Sequence, residues 1–420
     1  MEVIKYMRVL VYLNPLVVNK ISKKFLYEKD SGFLYTKQLI SSLPPDWKFT
    51  ILTPKGVPQE FFPNCTLVEY DYSTSIHQNR YHFNRNILAK ALPYGKDIDL
   101  VLNMQPEVSA NLRVFFENQR REKPIIVNYF HWIDCKESRK FASQLGGFIS
   151  RQIEGINSAD LSLFHNEYAM GLLEQSRVEN GYPAVDYSSG FFHPAPTKFG
   201  CDPFKLPDKK IILFNHRLNN TTGWKQVVNI CKKLKRDDFV LWLTDDQNLK
   251  EVWLNDEDYI IVQNVSFEHY GYLLQHAHFS VANLQGYATW NMSVIDSMYH
   301  GTSVVSTESD LMRSFNVESS DSIEDLIVSY LNKPKQSPSK LDIIDFPLAT
   351  WVTEEIKSRV GKTVPKKYND VIELIPCEKR TYVNKLWSFH ANSNFQKIRW
   401  RLLLDGYVDT LGEYTFYHNI

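Results

Sequence analysis

The chain has little cysteine and no pairing pattern in what it has. Five cysteines among 420 residues (Cys65, Cys135, Cys201, Cys231, Cys377) are dispersed, with no Cys-x-x-Cys. An odd, scattered set argues against a disulfide frame and a thiolate zinc site, and for a reducing compartment. Net charge is also missing, because 48 Lys and Arg balance 48 Asp and Glu. No global field draws such a protein to nucleic acid, so that binding needs a local patch. No apolar run is long enough to span a membrane. The opening Met-Glu-Val-Ile-Lys-Tyr-Met-Arg runs straight into a short strand without a signal-peptide pattern. The expectation is a soluble, cytoplasmic monomer with no membrane partner. Internal repeats, low-complexity tracts and the Gly-x-Gly-x-x-Gly fingerprint are absent too.

What the chain does have is aromatic content, 14% with 23 Tyr and 25 Phe. That suits pockets that stack rings or sugars, and equally a large core. The length suits two or three domains. Short apolar runs alternate with helical segments from the start. Met7–Leu13 reads as a buried strand, Asn14-Pro15 breaks it, and Ser31-Gly32-Phe33-Leu34 opens a helix over Tyr35–Leu43. Strands are expected at Lys48–Leu52, Thr66–Tyr70, Asp99–Leu102, Pro124–Val127 and Asp160–Phe164, with helices at Tyr81–Leu92 and Glu107–Asn118. After a proline-rich stretch from Pro194 to Pro207 the alternation restarts: strand Lys210–Phe214, helix Trp224–Leu234, strands Phe239–Leu243 and Tyr259–Val262, helix His269–His276, strand His278–Ala282. Alternation of this kind implies α/β architecture with parallel sheets covered on both faces. The expected domains are 1–200, 205–380 and an aromatic, basic helical tail at 381–420 that packs across both.

Three segments carry candidate chemistry. Trp290–Val305 reads as loop, helix, Gly301 and strand. Asn291, Met292 and Ser293 fall at the helix start, where free N–H groups and the helix dipole attract an anion, and Asp296 lies one turn further in, within reach of a ligand's hydroxyls. Phe214–Lys225 follows a strand and offers Arg217, Thr222 and Lys225. A guanidinium can fork onto two phosphate oxygens; a solvated turn is the plainer reading. Pro124–Val127 empties into Asn128-Tyr129-Phe130-His131-Trp132-Ile133-Asp134, at the strand end where α/β proteins bind ligands. There Asp134 is a candidate base or acceptor-orienting carboxylate, and Trp132 could stack on a base or sugar. Gly32 could let a ligand approach the backbone, or simply make a turn. Arg80 and Arg85, with Arg120, Arg121, Lys123 and the tail cations, could line a groove that tracks phosphates, although charge clusters are usually solvated faces.

The Trp290–Val305 block resembles the signature of retaining, nucleotide-sugar-dependent glycosyltransferases of the GT-B fold. The pattern there is Glu-x7-Glu followed by Ala-Met-Ala-x-Gly-Thr-Pro-Val-Val. Asp296 stands at the second Glu, and Met298, Gly301, Thr302, Val304 and Val305 match, while Ala288 replaces the first Glu. Arg217-Leu218 and Gly223 fit Gly-Arg-Leu-x-x-x-Lys-Gly; Thr222 occupies the Lys position, and Lys225 could substitute. Thr221-Thr222-Gly223-Trp224-Lys225 is similar to a run in phage DNA-base glycosyltransferases. Ile125–Trp132 and Ala159–His165 resemble two further strands of that family.

The resemblance implies two Rossmann-like domains facing across a cleft, the first binding acceptor and the second a UDP-sugar. It implies no required cofactor and no metal, Asp296 on the ribose hydroxyls, and Arg217, Lys225 and the N–H groups of Asn291–Ser293 on the diphosphate. His131 would meet the donor sugar or the reacting region. Trp132, Arg80 and Arg85 would serve an acceptor, a hydroxylated, hydroxymethylated or already glycosylated pyrimidine in double-stranded DNA, flipped from the duplex. The setting would be a phage protein in the host cytoplasm. Rival expectations are a glycosyltransferase acting on polysaccharide, lipid or tRNA, a nucleotide-sugar epimerase, and a non-catalytic binding protein.

Overall fold

A computed structural model describes residues 6–13, 25, 27, 30–72, 83, 85–92, 97–119, 124–135, 148–218, 222–234, 236–244, 259–283, 288–338 and 348–359. The chain divides into two compact units, one made of Met1–Pro194 with Pro347–Ile420, the other of Ala195–Phe346.

The first unit runs β1 (Arg8–Tyr12), α1 (Ser31–Ser42), β2 (Lys48–Pro54), β3 (Thr66–Tyr70), α2 (Arg85–Ala91), β4 (Leu100–Asn103), α3 (Ser109–Gln119), β5 (Ile125–Phe130), α4 (Phe148–Ser158), β6 (Leu161–Phe164), α5 (Glu167–Glu179) and β7 (Ser189–Phe191). Its seven strands lie in the order β3-β2-β1-β4-β5-β6-β7, and every pairing is parallel. The second unit runs β8 (Lys210–Phe214), α6 (Trp224–Leu234), β9 (Phe239–Leu243), β10 (Ile260–Val262), α7 (Phe267–His276), β11 (Phe279–Ala282), α8 (Met292–Tyr299), β12 (Val304–Thr307), α9 (Asp310–Ser314), β13 (Glu318–Ser320) and α10 (Ile323–Leu331). Its six strands, again all parallel, lie in the order β10-β9-β8-β11-β12-β13. The expected alternation is therefore real in both halves.

The sequence explains why both sheet faces are covered. In β8, Ile212 and Phe214 pack with Val227, Val228 and Cys231 of α6 and Ile327 and Leu331 of α10. Their neighbours Ile211 and Leu213 point the other way, with Val240 and Trp242, onto Leu273 and Leu274 of α7. A strand buried on both faces must be apolar throughout rather than alternating. The stripe Trp224, Val227, Val228 and Cys231 repeats at helical spacing, so α6 turns one face to the sheet. In the first unit Leu10, Val101 and Ile126 pack under Leu88 of α2 and Leu112 and Phe115 of α3.

Several boundaries differ from the sequence reading. Helix α1 begins at Ser31, not Tyr35, because buried Asp30 caps it, accepting from the N–H groups of Gly32 and Phe33. Strand β5 continues to Phe130 instead of ending at Val127; Phe130 stacks on Phe164 of β6 at 4.8 Å. Strands β7 and β13 were not expected. The second unit closes at Phe346 rather than 380. From there α11 (Leu348–Arg359) belongs with the first unit. Its Arg359 Nη1 donates to Asp160 O at 2.9 Å and to Ser188 Oγ at 3.2 Å. The tail at 381–420 lies outside the described residues.

Candidate functional site

Open parallel sheets bind ligands at the carboxyl ends of strands where the strand order reverses. In the second unit that point falls between β8 and β11. The chain leaving β8 is Asn215-His216-Arg217-Leu218, and the helix after β11 is α8. The two are stitched together. Asn215 Nδ2 donates to Ser293 O (3.1 Å) and Ser297 Oγ (3.0 Å), and Ser293 Oγ donates back to Asn215 O (2.7 Å). Arg217 is exposed just past this stitch. Thr222 is buried, and its hydroxyl closes the turn onto Arg217 O at 2.7 Å. Gly223 has φ +63°, and a β-carbon there would lie 2.5 Å from Asn283 Nδ2 and 2.6 Å from Asn283 O. Only glycine fits both the angle and the space. Lys225 follows in the first turn of α6, exposed, its Nζ 5.3 Å from the Trp224 ring centre.

Helix α8 starts as expected, and Gly301 (φ +88°) follows its end. Asn291 caps it, its side chain accepting from Val294 N at 3.2 Å. The half-buried Met292 and Ser293 therefore head the helix, with their N–H groups at its positive end. Two expected cations and an expected helix tip are thus held at one sheet edge. His216, buried beside Phe214, is pushed by desolvation down to about 4 and stays neutral.

Asp296 is buried, with 7% of its surface exposed. Desolvation raises its carboxyl to about 7, against the pull of hydrogen bonds from the Thr197 backbone and side chain. Its Oδ1 accepts from Thr197 N at 2.7 Å, so a protein group already meets the carboxylate expected to meet ribose. His300, one turn on, holds Thr197 O through Nε2 at 3.0 Å.

In the first unit, His131 follows β5, and its Cε1 and Nε2 each lie 3.9 Å from where a Gly32 β-carbon would sit. Gly32 thus leaves room for the imidazole beside the tip of α1, which brings two expected residues together. Beneath them His165, fully buried, has Nδ1 2.9 Å from Tyr129 Oη and Nε2 3.4 Å from His131 O. Desolvation pushes it down to about 3. A neutral ring with Nε2–H facing His131 O and Nδ1 accepting from Tyr129 fits both contacts. The role of His165 was not foreseen; only its place at a strand end marks it.

Asp134 is fully buried. Its Oδ2 accepts from Ile149 N at 2.8 Å, its N–H donates to Gln152 Oε1 at 2.9 Å, and its O accepts from Ser176 Oγ at 2.6 Å. These contacts make it an anchor for the start of α4. Gln152 also donates to Trp132 O (3.1 Å) and Glu107 Oε1 (2.9 Å). Trp132 is half-buried. Arg85 is exposed in the first turn of α2, while Arg80, Arg120, Arg121, Lys123, Thr221 and the tail cations lie outside the described residues. Among the described residues no group of His, Cys, Asp and Glu is set to hold a metal. No described helix is long and apolar enough to cross a membrane, and the four described cysteines are free thiols.

No family model matches the sequence, and no curated protein matches it. Solved structures do. A trehalose-6-phosphate protein from E. coli bound with UDP-2-fluoro glucose aligns over 86% of this chain and 100% of its own, with 10% identity and a TM-score of 0.59. Sucrose-phosphate synthase from Thermosynechococcus elongatus aligns over 91% and 99%, with 12% identity and a TM-score of 0.57. A glycosyltransferase from Rickettsia africae aligns over 90% and 98%, with 12% identity and a TM-score of 0.53. At such identities the likeness is one of fold, and the fold is the two-domain GT-B arrangement of Rossmann-like units.

Proposed function

We propose that the protein is a GT-B glycosyltransferase that moves a sugar from a UDP-sugar to an acceptor hydroxyl, with retention at the anomeric carbon. One observation carries this reading: Asn215 and Ser293 bind each other reciprocally, so the Arg217 turn and the head of α8 stay together at the switch point of the second sheet. Negative charge grows on a nucleotide's diphosphate as the glycosidic bond breaks, and donors fixed beforehand stabilise it best. In this reading Arg217, Lys225 and the N–H groups of Met292 and Ser293 hold the diphosphate. Asn291 and Thr222 fix the backbone that presents them. Asp296 receives the ribose hydroxyls on carboxylate lone pairs beyond those that Thr197 uses. His131, beside Gly32, meets the donor sugar. The leaving phosphate oxygen takes the acceptor's proton as the new bond forms.

The finer acceptor assignment is a hydroxylated or hydroxymethylated pyrimidine in DNA. It is supported by the Thr221–Lys225 run and the two first-unit strands that resemble phage DNA-base glycosyltransferases, with Trp132 to stack on the base and Arg85, with Arg80, to meet phosphate. A sugar phosphate is the second reading, favoured because two structural neighbours are named for trehalose-6-phosphate and sucrose-phosphate. The test is incubation with a panel of UDP-sugars and either hydroxymethylated duplex DNA or hexose phosphates, followed by mass spectrometry. A glycosylated nucleoside supports the first acceptor and a phosphorylated disaccharide the second. Donor that survives intact with every acceptor overturns the transferase reading.

A further inference from the structure

The chain enters the second unit at Ala195 and is at once bound to α7 and α8. Thr197 is gripped from both sides of its peptide, by Asp296 Oδ1 on its N–H (2.7 Å) and by His300 Nε2 on its O (3.0 Å). Its side chain also favours the charged form of the Asp296 carboxylate. Phe199 packs its ring on Tyr270 (4.6 Å) and His300 (5.8 Å). Gly200 N donates to Phe267 O at 3.0 Å, and Gly271 N donates to Gly200 O at 2.8 Å. The approach is close enough that a β-carbon on Gly200 would sit 2.6 Å from Glu268 O. The segment 197–202 is a fixed strap rather than a slack connection.

We infer that Thr197 is a positioning residue for donor recognition, holding the Asp296 carboxylate ionised and correctly turned for the two ribose hydroxyls. This rests on the donor reading above. An ionised carboxylate accepts two hydroxyl donors, whereas a protonated one gives up an acceptor position to its own proton. Burial alone disfavours the charge, and Thr197 partly offsets that penalty. The titratable groups around Asp296 do not replace Thr197. Tyr270 on α7 is half-buried and its phenol is pushed up, mainly by desolvation, so it stays neutral. His300, just past α8, spends Nε2 on Thr197 O. The loop after β8 brings neutral His216 and the exposed Arg217. Lys198, the strap's cation, is exposed.

The test is calorimetric titration with UDP between about pH 6 and 8.5, around the value of about 7 for Asp296. The ligand's own phosphate titration is common to all variants and cancels in the comparison. The unaltered protein should bind more tightly as pH rises through 7. In Thr197→Val, which keeps the N–H and loses the hydroxyl, the midpoint should move up by about one unit, giving about fivefold weaker binding at pH 7 and near-equal binding at the top of the range. Thr197→Ser should restore the original midpoint, and Asp296→Asn should bind weakly with no midpoint of its own. UDP binding by Thr197→Val with an unmoved midpoint overturns this inference alone. No UDP binding by the unaltered protein overturns the donor reading and this inference with it.

Discussion

The two units treat their carboxyl edges in opposite ways. In the first, polar residues on β4 and β5 and in the segments around them are sunk and mutually bonded: Asn103 Nδ2 donates to Asn128 Oδ1 (2.9 Å), Asn128 Nδ2 to Gly155 O (2.9 Å), and Gln152 links Glu107 to Trp132. In the second, the stitch through Asn215 is buried, but Arg217 and Lys225 beyond it are exposed. A satisfied buried network specifies geometry and rigidity. A solvated cation on a firm base keeps its charge for a ligand, without the desolvation cost of burial in the free protein. The first edge fixes the backbone around His131; the second leaves Arg217 and Lys225 exposed, where the proposed donor reading places the diphosphate.

The sharpest way to break this contrast is Arg217→Ala. Transfer should fall by about two to three orders of magnitude, the scale of one lost electrostatic donor, with the thermal midpoint unchanged because the side chain is exposed. Wild-type turnover would remove the diphosphate assignment. The counterpart in the first unit is Gly155→Ala. Its β-carbon would lie 2.4 Å from Pro106 O, so α4 must shift, destabilising that unit by about 2–3 kcal/mol, measurable by denaturant unfolding.

Acidification should separate the units next. His165 sits far below its ordinary 6.5, at about 3, mainly through desolvation. An imidazole so depressed contributes stability that is present above pH 6.5 and lost as pH falls towards 3. At pH 5 the loss is about 2 kcal/mol in the first unit, and His193, also lowered by burial, adds to it. In the second unit Asp296 and His216 oppose each other. The raised carboxyl contributes stability below its ordinary 3.8 that is lost as pH rises through about 7, while the lowered imidazole behaves as His165 does. Hydrogen exchange at pH 7 and pH 5, corrected for the intrinsic rate, should show the first unit loosening more. Equal loosening would refute the comparison. The smallest effect is expected for Asn215→Ala, which removes the two side-chain bonds to α8 but spares Ser293 Oγ to Asn215 O. Donor KM should rise by about tenfold, the scale of one net buried hydrogen bond; an unchanged KM would show that the stitch does not hold the donor site.

The strands and helices that the sequence disclosed most clearly are those whose periodicity is self-sufficient. Lys210–Phe214, Trp224–Leu234 and Phe239–Leu243 have the bounds their apolar spacing implies. The strands it hid are edge strands. Ser189–Phe191 and Glu318–Ser320 carry no apolar run and are strands through hydrogen bonds to β6 and β12. Arg217 and the head of α8 were legible because turn chemistry and capping are local. The bonds that unite them were not, since Asn215 and Ser293 are 78 positions apart and Thr197 and Asp296 are 99 apart. Asp134 looked available because a strand end precedes it; only packing reveals that Ile149 claims it.

Helix α11 has a consequence for synthesis. It joins the first unit through Arg359 at β6 and β7, yet it is encoded after the whole of the second. A nascent chain therefore finishes Ala195–Phe346, which is continuous, before the earlier unit can acquire α11. Ribosome-bound chains arrested just short of Leu348 should expose the β6–β7 edge to protease while the later unit is already resistant.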